Sequence, residues 1–86
     1  MKLMVKGNYA VVEHKGTQWC FSYGVCIARR TPAYGHEPAM LLTLDTLHHD
    51  FSATTRKHRA QFTGLSAPEI RAKIETEEIV LEDMQG

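Results

Sequence analysis

The chain has 86 residues, 43% of them hydrophobic and 23% charged, with ten Lys and Arg balanced by ten Asp and Glu. That length holds a single domain, residues 1–86, and the apolar content is that of a globular chain, not a disordered one. No run approaches the ~20 consecutive apolar residues of a transmembrane helix, and the first residues lack the apolar stretch of a signal peptide, so no membrane association and a cytoplasmic location are expected.

Lys2–Lys6 reads as a short apolar strand ended by the turn signal Gly7-Asn8. Tyr9–His14 reads as a second strand, rich in β-formers, and Lys15-Gly16-Thr17 supplies the next turn. Trp19–Arg29 is the strongest strand pattern. Trp19, Phe21, Tyr23, Val25 and Ile27 alternate with Cys20, Ser22, Gly24, Cys26 and Ala28, a period of two with a bulky face and a small one. The bulky face is expected to meet the core, and the small face leaves room for a helix or a second backbone, with Gly24 marking a bulge or a close approach. Thr31–Pro38 reads as a loop with Tyr34 and His36 at its tip, and Met40–Asp45 as a further strand.

Ser52 is an N-cap signal with Phe51 anchoring the helix start. Phe51, Thr55, His58, Phe62 and Leu65 then come at steps of four and three, one face of a helix, with Arg56, Lys57, Arg59 and Gln61 mostly on the other. Gly64 fits the helix end. Ser66-Ala67-Pro68-Glu69 matches a capping box with proline in the first turn, which predicts a second helix with Ala67, Ile70 and Ile74 inward. The β-branched pair Ile79-Val80 favours a last strand. The expected fold class is α+β: a three- to four-stranded, mainly antiparallel sheet with one or two helices on one face.

The zero net charge hides an asymmetry. Residues 1–74 carry all ten basic residues and five acidic ones, a charge of +5, whereas residues 75–86 carry the other five acids and no base, a charge of −5. A basic body with an acidic C-terminal end is either self-complementary or faces separate partners. Cys20 and Cys26 would lie ~20 Å apart along one extended strand, too far for a disulfide, and read as reduced thiols. No HExxH, paired Cys-x-x-Cys or Gly-rich phosphate loop occurs, neither cysteine sits beside a cation or at a helix start, and Ser52, Thr54 and Thr55 are explained by capping. No catalytic residue, metal ligand or cofactor is therefore assigned. Nucleic-acid binding has a basis in Arg56-Lys57-His58-Arg59 on the first helix, with Arg29-Arg30 ending the long strand, although a pI near 7.0 is far from that of a dedicated binder.

Two segments resemble a known group. Phe21-Ser22-Tyr23-Gly24-Val25-Cys26-Ile27-Ala28 resembles a strand F-x-Y-x-T-x-V-A, and Phe51-Ser52-Ala53-Thr54-Thr55-Arg56-Lys57-His58 resembles a helix start Y-S-x-T-T-x-K-H. Both belong to small proteins of unknown function that are frequent among bacteriophage and mobile-element sequences. The resemblance covers roughly residues 19–62 and departs at Val25, where Thr is usual, and at Phe51, where Tyr is usual. It implies an origin and carries over no functional residue.

The resulting expectation is a non-enzymatic accessory protein of a phage or mobile element, working in the host cytoplasm by binding a host protein involved in defence or gene expression. Its acidic end, with Glu77, Glu78, Glu82 and Asp83, would meet a basic groove on that protein. The alternative is nucleic-acid binding through Arg29, Arg30, Arg56, Lys57 and Arg59. A structural homodimer paired through the sheet edge is the third reading.

Overall fold

The computed structural model describes residues 1–32 and 40–85. Among these residues six strands and two helices run in the order β1 (Lys2–Lys6), β2 (Tyr9–His14), β3 (Thr17–Ser22), β4 (Val25–Pro32), β5 (Met40–Asp45), α1 (Ala53–Thr63), α2 (Ala67–Glu75) and β6 (Ile79–Glu82). The strands form one sheet in sequence order, β1-β2-β3-β4-β5-β6. Neighbours are antiparallel from β1 to β5, and β6 lies parallel to β5 because the two helices carry the chain back over the sheet. The fold is α+β as expected, but the sheet is mixed and has six strands instead of three or four.

The added strand comes from the segment that reads as one continuous strand. Tyr23 and Gly24 both take positive φ, 53° and 78°, and fold Trp19–Arg29 into the β3–β4 hairpin. A pair of positive φ values makes the turn whose twist matches the flanking strands. The alternation of bulky and small residues runs through the turn without a break, so it gives no sign of the reversal. Thr31 and Pro32 belong to β4, not to a loop; Tyr34 and His36 lie outside the described residues.

The faces are also exchanged relative to expectation. The small residues Cys20, Ser22 and Ala28 are buried beneath the helices, and the bulky Trp19 and Phe21 are half-buried on the other side. A register shift between Cys20 and Phe21 lets both Ile27 and Ala28 join the core. A helix approaches a sheet closely where the residues beneath it are small, and α1 does so over β3. The core joins Tyr9, Cys20, Ile27, Ala28, Leu44 and Ile79 of the sheet to Phe62 of α1 and Ile70 of α2.

The helix boundaries match their signals. Ser52 caps α1 by accepting from the Thr55 amide, and Gly64 ends it at φ 72°. Ser66 and Glu69 form the reciprocal capping box at the start of α2, with Pro68 in its first turn. Phe51 does not anchor α1: its side chain is 76% exposed. Cys20 and Cys26 are both free. They sit on adjacent strands, not at the ends of one. Cys20 pairs across with Ala28 and Cys26 with Phe21, so their side chains leave opposite faces of the hairpin.

Candidate functional site

The acidic end is organised around the outer strand β6. α2 closes with the Glu78 amide donating to the Lys73 carbonyl and the Glu77 amide to the Ile74 carbonyl, the paired bonds of a Schellman ending. This places Glu77 at the left-handed position, φ 63°, where glycine is the usual residue. Glu77, Glu78, Glu82 and Asp83 are all exposed. Glu82 pairs with Arg29 at 2.8 Å, and Glu78 lies 3.8 Å from Lys73. The remaining acidic charge of this end faces solvent.

The chain leaving β6 is held by Asp45, the last residue of β5. Its carboxylate is 1% exposed and accepts from the Met84 amide at 2.8 Å, the His48 amide at 2.8 Å, the His48 Nδ1 at 2.6 Å and, more weakly, the Leu47 amide and the Gln85 side chain. Burial alone would push this carboxyl up. The bonds from Met84, the His48 ring, Gln85 and the His48 amide outweigh it and hold the pKa down to about 2. Asp45 therefore fixes the direction in which the chain leaves the acidic strand. Nothing local in the sequence marks its hold on the end of the chain, because Met84 is 39 residues away.

The basic candidates are not brought together. Arg29 and Arg30 are successive strand residues and leave opposite faces. Arg29 meets Glu82, whereas Arg30 lies over the Phe62 ring at 4.6 Å and donates to the Phe62 carbonyl and to Gln18. Arg59 is 4% exposed, not on the solvent face. Its position four residues after Thr55 puts it on the inner stripe, a signal that charge alone obscured. One of its terminal nitrogens lies 2.8 Å from the His49 Nδ1, and its Nε has no partner. Burial lowers its pKa, against the pull of Asp50. Only Arg56 and Lys57 remain as exposed neighbours on α1.

The Phe51–His58 motif resolves into a polar network between α1 and β3. Ser22 Oγ lies 2.8 Å from the His58 Nδ1 and 3.2 Å from the Thr55 Oγ1, which accepts from Ser52 Oγ at 3.1 Å. His58 also packs against Tyr9, with ring centroids 5.2 Å apart. Burial, aided by Lys57, lowers the His58 pKa and so favours the neutral ring. A hydroxyl beside an imidazole resembles a nucleophile and its base. Here, however, Ser22 is 2% exposed and shared with Thr55, so the network fastens the helix to the sheet. Burial likewise pushes the Cys20 thiol up to about 12 and raises Cys26, which makes both poor nucleophiles. A surface cavity of about 430 Å3 beside this network is lined by Tyr23, Phe51 and Thr54, and a cleft of about 600 Å3 opens between β1, β2 and Phe62 of α1.

Among the described residues no three His, Cys, Asp or Glu side chains converge as metal ligands, and no helix is long and apolar enough to cross a membrane. Comparison of the chain with family models, with curated proteins and with solved structures finds no match in any of the three.

Proposed function

We propose that this chain is a non-enzymatic accessory protein of a phage or mobile element, needing no cofactor, that acts in the bacterial host cytoplasm by binding a host protein. The observation that carries the reading is the outer strand β6 with Glu77 and Glu78 at one end and Glu82 and Asp83 at the other, all exposed. Strand addition gives affinity through main-chain bonds, and the flanking acids favour a segment carrying Lys or Arg. The basic residues offer less to a nucleic acid, since Arg29, Arg30 and Arg59 are each engaged within the chain.

The test is affinity capture from host lysate with the tagged chain, with and without nuclease, beside the variant E77Q/E78Q/E82Q/D83N. One protein enriched stoichiometrically in both nuclease conditions, and lost with the variant, is the expected result. Enrichment that vanishes with nuclease, or that the variant retains, overturns the reading.

A further inference from the structure

β1 and β6 are the two outer strands of the sheet, and among the described residues neither has a second neighbour. Their free backbone groups can be placed. The two-residue Gly7-Asn8 turn makes Lys6 and Tyr9 a hydrogen-bonded pair, so Lys2, Met4 and Lys6 bond β2. Leu3 and Val5 then present their N–H and C=O groups outward. In β6 the Glu82 carbonyl accepts from the Thr46 amide of the β5 side. Alternation leaves the groups of Ile79 and Leu81 facing outward.

The two edges are complementary in sequence. β1 reads Lys-Leu-Met-Val-Lys, and residues 78–82 read Glu-Ile-Val-Leu-Glu. Laid antiparallel, Leu3 meets Leu81 and Val5 meets Ile79, the residues whose backbone groups are free on each side. In the same register Lys2 stands opposite Glu82 and Lys6 opposite Glu78. The Lys2 and Glu82 side chains agree as well. Lys2 lies on the helix-bearing face, where it approaches Glu13 at 4.0 Å, and Glu82 lies on the other face with Arg29. An antiparallel contact between β1 and β6 turns one copy over, which brings these two faces to the same side. A parallel contact keeps both copies the same way up and separates the charges. Pairing like edges is opposed, because Lys2 would face Lys6 and Glu78 would face Glu82. Leu3 and Val5, 67% and 62% exposed, are the apolar surface that such a contact covers.

We infer that β6 of one copy accepts β1 of a second copy in this antiparallel register, a head-to-tail contact that extends the sheet with helices on alternate faces. The inference rests on the reading of β6 as a docking edge and names one of its occupants. Each pair of copies leaves one β1 and one β6 free, so assembly is open-ended.

The test is sedimentation velocity on the purified full chain across a concentration series at low and high salt. Mass rising with concentration as a continuous series, and falling with salt, is expected. K2E/K6E and E78K/E82K should each weaken association on the order of tenfold or more, since two attractive cross-strand pairs become repulsive. Their equimolar mixture should associate again, as should K2E/K6E/E78K/E82K in one chain. A wild-type chain that stays monomeric throughout, association indifferent to the reversals, or a mixture that does not recover overturns the inference. Lysate capture that depends on the acidic end while the purified chain stays monomeric would overturn this pairing alone and leave the host-protein reading standing.

Discussion

Asp45→Asn is the substitution whose consequences are best defined by the structure. The folded carboxyl is held from its ordinary 3.8 down to about 2, a difference worth about 2 kcal/mol of folding free energy. A depressed carboxylate contributes its full stabilisation above the unfolded value. It loses that stabilisation as the pH falls through the folded value, so the window lies between about pH 4 and pH 2. Asn keeps the size of the side chain but sets an NH2 group against amide donors, either those of Leu47 and His48 or that of Met84. The variant should therefore lose about 2–3 kcal/mol at pH 7. Urea unfolding of both proteins, monitored by Trp19 fluorescence from pH 7 to pH 2, measures it. Other carboxylates titrate in both chains and cancel in the difference, which should shrink by about 2 kcal/mol as Asp45 protonates. A difference that is independent of pH, or below about 0.5 kcal/mol at pH 7, refutes the argument that this carboxylate holds the end of the chain.

Gly64→Ala should cost about 1 kcal/mol in thermal unfolding, because open space surrounds the missing Cβ and the whole penalty is the left-handed backbone at φ 72°. Arg59→Met keeps the buried stem and removes a guanidinium with an unpartnered Nε, so its stability should stay within ~1 kcal/mol of the parent. Arg59→Ala, which also empties the site, should lose about 2–3 kcal/mol, and equal losses for the two would refute the distinction. Glu77→Gly relieves a left-handed glutamate and should gain about 0.5–1 kcal/mol in urea while weakening host-protein capture. A gain in stability with unchanged capture would remove Glu77 from the docking surface.

Local signals carried the element boundaries. Ser52 and Gly64 bracket α1, the Ser66–Glu69 box starts α2, and the Ile79-Val80 pair forms β6. Each of these depends on residues within one turn of the feature. Tyr23 failed as a signal because a bulky aromatic at positive φ is uncommon, and the period-two pattern passes through it unbroken. The exchange of faces was illegible for a different reason. Alternation shows that two faces exist, and only the arrival of α1, through Thr55 and His58 on Ser22, decides which one is buried. The acidic end was visible as a run of charge. That it includes an outer strand, with the chain beyond it tied down by Asp45, depends on contacts across the chain. Arg59 shows the same limit: its charge spoke for solvent, while its spacing from Thr55 spoke for the interior, and spacing prevailed.

If β6 serves both a host protein and a second copy, the two occupants exclude each other, because one edge accepts one strand. Reversing charge on either edge then has opposite effects on capture. K2E/K6E leaves β6 intact and removes the strand that competes for it, so capture per molecule should rise, most at the highest concentration of the chain. E78K/E82K alters the β6 edge itself and should weaken capture and self-association together. A titration of bound host protein against total chain separates the cases. The parent should fall short of proportionality as copies occupy one another's β6, and K2E/K6E should remain proportional throughout. Equal curves for the two would mean that the copies do not contend for the edge. The lysines of β1 would then only guard it, as charged residues on exposed strands commonly do.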